Sequence, residues 1–158
     1  MSKASNKLST LAQLVEKKKQ AENDKLKVYT WHDDINDITF TFNKCDMDML
    51  LELTEKYPKA FESNGKQNIE EFDELVRAFE ELIFKLLIID NKKLNDTEVQ
   101  DFLLGEKKAT IMPSELQYEV VKAIMIDKIQ ILSLGGAILE QSNVNMKKLD
   151  NKVENAKN

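Results

Sequence analysis

The chain has 158 residues, of which 42% are hydrophobic and 32% are charged, and its formal net charge is −5. This length suits one domain with a hydrophobic core. Only 4 Gly and 2 Pro are available for tight turns, so the composition favours a mainly α fold and argues against a sandwich or barrel built from many hairpins.

The charges are unevenly distributed along the chain. Residues 28–119 carry ten basic and 21 acidic side chains, whereas residues 1–27 carry seven basic and three acidic ones. An acidic centre argues against nucleic-acid binding by the folded domain, since duplex binding usually requires clustered Lys and Arg. The start "MSKASNKLST" lacks the apolar core of a secretion signal, and Cys45 is the single cysteine, so we expect a reducing, cytoplasmic location.

Helical spacing of apolar residues and one alternating segment predict the elements in chain order. Residues 7–20 are predicted to be a helix within an N-terminal arm, 1–25. The segment "KVYTWHDDINDITFTF" alternates β-branched and aromatic residues around an Asp/Asn-rich turn, which predicts a β-hairpin over 27–42. A short helix follows, with Asn43 or Asp46 as its N-cap and Pro58 just after its end.

The second half of the chain predicts three further helices. Residues 68–90 show a continuous apolar stripe from Phe72 to Ile89. A short helix is expected from the cap at Asn95 or Asp96 to Gly105, and a long one over 111–134, weakened at Gly135-Gly136. We therefore expect a mainly α (α+β) protein with a single helical domain over 26–142 that contains the hairpin. Residues 143–158 hold few large apolar residues and are expected to be a disordered tail.

The most apolar segment is "VVKAIMIDKIQILSLGGAIL", residues 120–139. A membrane span is not expected, because Asp127 and Lys128 interrupt the segment and only eleven uncharged residues lie between Lys128 and Glu140, where spanning needs about 20. Apolar residues cover more than one face of this predicted helix, which leaves internal burial or a surface for another chain. As partner-binding candidates we identify six residues: Met125, Ile126, Ile129, Ile131, Leu132 and Leu134.

No motif specifies a reaction, so we expect a protein that is not an enzyme, with no catalytic, cofactor or metal site. The cluster His32, Asp33, Asp34 and Asp37 contains metal-ligand types, but Asp and Asn are also the residues of hairpin turns. Cys45 and His32 lie in the same region, yet no third catalytic group accompanies them. The four glycines match no phosphate-binding fingerprint.

One basic cluster makes nucleic-acid binding an alternative to consider. Lys17 to Lys19, with Lys25 and Lys27, lie close in sequence to Tyr29 and Trp31, which could stack on bases. The acidic body of the domain would repel a nucleic-acid backbone, so we expect no nucleic-acid partner.

The order of the segments "VYTWHDDINDITFTFNKCD", "LLIIDNKKLNDTEVQDFLLG", "IMPSELQYEVVKAIMID" and "AILEQSN" resembles the tail assembly chaperones of long-tailed phages and prophages of Gram-positive bacteria, in particular the XkdN-like group. The resemblance covers residues 26–143. The chain departs from the group's pattern in lacking a proline before "LND" and in the charged "EKK" after Gly105.

The resemblance implies a non-catalytic viral protein in the cytoplasm of the bacterial host that binds the tape measure protein, with tail tube subunits as a second candidate partner. Exposed apolar helix faces would suit a long helical client, and they also allow self-association. Two other hypotheses are a structural tail or adaptor protein retained in the particle, and a small nucleic-acid-binding regulator that uses the lysines of 17–27.

Overall fold

The computed structural model describes residues 3–61 and 69–142, with side chains from residue 10 onward. Within these residues the chain forms six α-helices, one 3₁₀ helix and a four-stranded antiparallel sheet, which confirms the predicted mainly α fold. The elements are α1 (Lys3–Lys25), β1 (Val28–Asp33), β2 (Ile38–Asn43), α2 (Met47–Lys56), α3 (Ile69–Leu86), β3 (Leu87–Ile89), β4 (Lys92–Lys93), α4 (Thr97–Leu104), the 3₁₀ helix (Gly105–Thr110), α5 (Leu116–Ile124) and α6 (Lys128–Gln141).

The predicted hairpin forms in the expected place. Strands β1 and β2 pair from Val28 opposite Asn43 to Asp33 opposite Ile38. Aromatic residues that face each other across the strands stack: the ring centroids of Tyr29 and Phe42 are 6.4 Å apart, and those of Trp31 and Phe40 are 6.1 Å apart. Such cross-strand pairs stabilise the sheet and help to set its register.

Two short strands extend this sheet, and neither was predicted. The predicted helix over 68–90 was wrong at its end, because α3 stops at Leu86 and Leu87–Ile89 pairs with β2. Asp90 and Asn91 then adopt left-handed backbone angles, with φ of 50° and 63°, and turn the chain into β4. Two consecutive positive φ values are typical of a tight hairpin turn, and Asp and Asn tolerate them well.

Helix α3 lies at the centre of the fold, where it packs against α5 and α6. Its buried apolar side chains are Val76, Ala78, Phe79, Leu82, Ile83 and Leu86. Phe42 of the sheet, Leu50 and Leu53 of α2, and Leu134 and Ile138 of α6 belong to the same core. Full burial of each such Leu, Ile or Phe contributes about 1.5–3 kcal/mol.

Helix ends agree with the capping chemistry of the sequence. The Asp46 carboxylate accepts a 2.8 Å hydrogen bond from the Met49 N–H at the start of α2, and the Asp96 carboxylate accepts a 2.9 Å bond from the Glu98 N–H at the start of α4. Gly105 ends α4 with a φ of 56°, which the missing side chain permits.

The helix predicted over 111–134 is two helices. Met125 is extended, with ψ of 140°, and separates α5 from α6. Asp127 then starts α6 by accepting a 2.8 Å hydrogen bond from the Gln130 N–H. The expected weakening at Gly135-Gly136 does not occur, because both glycines lie inside α6. The Asp127 carboxylate caps the new helix at this break, and the apolar periodicity of the segment gave no sign of it.

Helix α1 is longer than the predicted 7–20, and its residues from Thr10 to Asn23 are exposed. The salt bridge between Lys25 and Asp46, 3.5 Å long, connects its last turn to the rest of the fold. The division into arm, domain and tail stays a prediction, and the expected disordered tail lies outside the described residues.

Candidate partner-binding surface

The six residues predicted to bind a partner do not lie together on one exposed face. Met125, Ile131 and Leu134 are buried in the core, and Leu132 is half-buried against it. Ile126 and Ile129 are 57% and 65% exposed. Internal burial therefore accounts for half of the set, and two isoleucines next to the α5–α6 break remain available to another chain.

These two isoleucines sit on a corner of the fold that is fixed by polar contacts. Ile126 belongs to the connection between α5 and α6, and its backbone N–H donates a 2.7 Å hydrogen bond to Oε1 of Gln130. The Gln130 Nε2 group donates a 2.8 Å bond to Oδ2 of Asp33, in the hairpin. The buried Gln130 side chain thus joins the helix break to the sheet. We refer to Ile126, Ile129 and the hydrogen bonds of Gln130 that hold them in place as the α5–α6 corner.

Asp33 is the second half of this support. Its Oδ1 atom accepts hydrogen bonds from the backbone N–H groups of Ile35 and Asn36, and its Oδ2 atom accepts from the Asn36 side chain as well as from Gln130. The bonds from the Asn36 and Gln130 side chains hold the pKa of Asp33 below its usual value, because they favour the ionised form. Asp33 therefore orders the hairpin turn and anchors α6 to it.

The hairpin turn adds a third exposed isoleucine near this support. Ile35 is 84% exposed, and its N–H bonds to the Asp33 carboxylate that also holds Gln130. The sequence reasoning missed Ile35 because a single apolar residue in an Asp/Asn-rich turn carries no periodic signal. The sequence signal that could have identified Ile35 is its position as a hydrophobic residue in an otherwise polar turn, where it is expected to be exposed.

The His32 cluster has a structural role in the hairpin. The His32 Nδ1 atom lies 2.8 Å from Oγ1 of Thr39 across the strands, and its Nε2 atom lies 3.1 Å from a carboxylate oxygen of Asp37. Within residues 3–61 and 69–142, no group of three or more His, Cys, Asp or Glu residues could hold a metal ion. Cys45 follows the end of the hairpin opposite the turn, so the structure does not pair it with His32.

The lysines of the basic cluster are all exposed, and Lys25 and Lys27 also form salt bridges. Lys17, Lys18 and Lys19 lie on the exposed part of α1. Lys27 pairs with Asp24 at 2.8 Å. The aromatic rings that were candidates for base stacking already stack on Phe42 and Phe40 within the sheet.

A tyrosine pair lies at the junction of α2, α3 and α5. The hydroxyl groups of Tyr57 and Tyr118 share a buried hydrogen bond, and burial together with this bond raises the pKa of Tyr57. Nearby, Glu81 accepts hydrogen bonds from Lys56 and from the Gln117 side chain. Each of these polar groups has a protein partner, which is the pattern of a structural network that joins three helices.

Other exposed apolar side chains lie outside the predicted set. Phe102 on α4 is 90% exposed and Met112 before α5 is 68% exposed. On α1, Leu11, Leu14 and Val15 are all more than half exposed. Apolar periodicity alone does not separate such residues from core residues, because it identifies the apolar face of a helix and not what covers that face.

No protein-family model, curated protein or solved structure matches this chain. Among the helices of the described residues, none combines the length and the apolar character that crossing a membrane requires.

Proposed function

We propose that this protein is a non-catalytic tail assembly chaperone of a phage or prophage, and that its α5–α6 corner binds the tape measure protein in the host cytoplasm. The resemblance of residues 26–143 to the XkdN-like group supplies the protein class and the partner. The observation that carries the binding surface is the exposure of Ile126 and Ile129 beside a break held by hydrogen bonds of the buried Gln130 side chain.

Burial of the two exposed isoleucines would stabilise a complex with an apolar partner. Two β-branched apolar side chains at 57% and 65% exposure lose contact with water when an apolar helix face covers them. Their backbone positions are fixed by Gln130 and Asp127, so little conformational entropy is lost on binding. A long helical client with a repeated apolar stripe provides the complementary surface.

Co-expression with the tape measure protein tests the proposal. The unmodified chain is expected to co-purify with its client, and Ile129→Asp is expected to reduce the recovered client at least about tenfold, because a charge would be buried against an apolar face. Phe102→Asp is the matched control, since it places the same charge at an exposed apolar position on α4. Circular dichroism should show unchanged helicity for both variants.

Three results would contradict the proposal in different ways. No complex with the unmodified chain argues against the chaperone function itself. Equal loss for Ile129→Asp and Phe102→Asp, or loss for Phe102→Asp alone, argues against the α5–α6 corner. Stoichiometric presence of the chain in purified particles, measured by mass spectrometry, favours a structural tail or adaptor protein.

A further inference from the structure

Helix α1 presents an apolar stripe that the described part of the chain leaves uncovered. Leu11, Leu14 and Val15 are 59%, 60% and 55% exposed, and their spacing puts them on one face of the helix, which we call the α1 stripe. Every residue from Thr10 to Asn23 is exposed, so this part of α1 is not packed on the body of the fold. An isolated helix is only marginally stable in water, so a partner that covers the stripe would stabilise α1.

Lysine side chains border the α1 stripe. Successive helical residues are rotated by about 100°, which places Lys17 and Lys19 on either side of the stripe and Lys18 in line with it, one turn further along. The acids of this part of the helix are Glu16, on the opposite face, and Glu22, about two turns beyond Val15. The surface that α1 offers to a partner is therefore apolar and basic.

The α5–α6 corner is apolar and acidic. The hydrogen bond from Gln130 to Asp33 holds the hairpin turn beside the corner. That turn carries Asp34 and Asp37, whose side chains are 95% and 93% exposed. Asp127, between the two exposed isoleucines in sequence, is exposed as well.

The cation nearest in sequence does little to offset these carboxylates. Lys128 lies 3.8 Å from a carboxylate oxygen of Asp73, so its charge is shared with another acid. A basic apolar helix and an acidic apolar corner are complementary in charge and in hydrophobicity. The α1 stripe thus has the character that the corner requires of a partner.

A second copy of the chain can bring the two surfaces together. Within one copy both are exposed, and α1 joins the body at the salt bridge between Lys25 and Asp46, at the end of the hairpin remote from its turn. Two copies related by a two-fold axis can each place α1 on the corner of the other. Such an exchange covers both stripes and both corners, and it closes the assembly at a dimer.

We propose that two copies of this chain associate by exchanging α1, so that the α1 stripe of each copy packs on the α5–α6 corner of the other. The proposal goes beyond the chaperone function, because this association needs no client. A further consequence rests on the proposed function: α1 and the tape measure protein then compete for one corner, and the client must displace the helix.

Sedimentation velocity of the full chain, without any client, tests the exchange. A dimer that dissociates on dilution is expected, and Leu14→Asp in the stripe or Ile129→Asp in the corner should each raise its dissociation constant at least about tenfold, because each puts a charge into an apolar contact. Gln13→Asp is the matched control, since position 13 lies on the face of α1 opposite the stripe and should leave the dimer unchanged. Circular dichroism should show the same helicity for all three variants.

A mixture of the Leu14→Asp and Ile129→Asp chains distinguishes exchange from other pairings. In a mixed dimer one unmodified stripe meets one unmodified corner, so one of the two contacts is restored. The mixture should therefore associate more tightly than either variant alone, and no recovery overturns the proposal. Pairing of stripe with stripe would leave Ile129→Asp without effect, and pairing of corner with corner would leave Leu14→Asp without effect, so either result overturns it as well.

The lysines supply an independent, electrostatic measurement. Replacing Lys17, Lys18 and Lys19 together by Gln is expected to weaken the dimer at least about threefold at low salt, and to reduce its sensitivity to added salt, because fewer charges face the acidic corner. An unmodified chain that stays monomeric at every concentration, or a dimer that this substitution leaves unchanged, overturns the proposal. None of these measurements depends on whether the chain binds a tape measure protein.

Discussion

Glu80 on α3 is a buried acid without the contacts that usually accompany one. Its side chain is 1% exposed, and its Oε2 atom has no hydrogen-bond partner, the one such buried side-chain atom among the described residues. Burial raises the pKa of Glu80 because the low-polarity surroundings disfavour the charged form, and the nearby Lys122 and Arg77 only partly offset this. Its neighbour Glu81, also buried, is paired with Lys56 and Gln117.

We expect Glu80→Met to stabilise the protein at pH 7 by about 1–3 kcal/mol, because it removes an unsatisfied buried group at similar volume. A raised pKa means that the folded state binds the proton more tightly. The unmodified chain therefore loses stability as pH rises from about 4.5, the ordinary value, through the folded-state pKa. The gain from the substitution should shrink toward pH 4.5 in urea unfolding experiments.

Glu81→Met is the matched comparison for this prediction. It removes an equally sized acid from the same helix but leaves Lys56 and Gln117 without their acceptor, so we expect destabilisation at pH 7. Stabilisation by both substitutions, or by neither, would contradict the assignment of Glu80 as the unsatisfied acid.

Two consecutive glycines in α6 have opposite surroundings. A side-chain carbon at position 135 would overlap the ring of Phe79 on α3, whereas one at position 136 would meet no atom within 4 Å. We expect Gly135→Ala to destabilise the protein by about 1–3 kcal/mol through overpacking. Gly136→Ala should stabilise it by about 0.5–1 kcal/mol, since alanine favours the helix. Urea midpoints that move in the same direction for both variants would refute this reading.

At the level of elements, the break between α5 and α6 is the feature that shapes the candidate surface. The segment Asp127-Lys-Ile-Gln130 has the spacing of a capping box, in which residues three apart satisfy the free N–H groups of a helix start. Here Gln130 reaches back to the Ile126 N–H, one residue before the usual position. This spacing was the sequence signal that could have located the break.

Replacing the cap tests how much the break depends on it. We expect Asp127→Ala to lower the free energy of unfolding by about 1 kcal/mol, because the Gln130 N–H loses its acceptor. Asp127→Asn keeps a capping oxygen and should cost much less. Thermal unfolding of the two variants at pH 7 gives the comparison, and equal losses would show that the carboxylate acts through something other than capping.

At the level of the whole molecule, the reactivity of Cys45 shows whether the junction around it is folded. It lies where the hairpin, α2 and the end of α6 meet, and its backbone N–H bonds to the Ser142 side chain. Burial raises the pKa of the Cys45 thiol to about 12, so almost no thiolate forms near neutral pH.

We therefore expect Cys45 in the native protein to resist thiol reagents at pH 8 and to react only when the fold opens. Labelling monitored by mass spectrometry should accelerate steeply across the urea transition measured by circular dichroism. Fast labelling without urea would show that this junction opens locally, well below the global free energy of unfolding.

Sequence alone determined the features that arise from neighbours in the chain. Capping by Asp46 and Asp96, the stop at Gly105 and the alternating strands of the hairpin depend on residues only a few positions apart, so their chemistry is visible in the printed order. The stripe of α3 is likewise a local periodicity. These elements appear where the patterns predict them, within a few residues.

Tertiary structure decided what depends on residues far apart in the chain. Leu87–Ile89 left the helical pattern because β2 offered hydrogen-bond partners, and Gly135 is needed because Phe79 approaches from another helix. The same holds for the six candidate residues, since packing in the common core buried Met125, Ile131 and Leu134 while Ile126 and Ile129 stayed exposed. Every apolar side chain is more stable out of water, whether or not the fold covers it. The residues that pack around it in the folded chain determine whether it is buried.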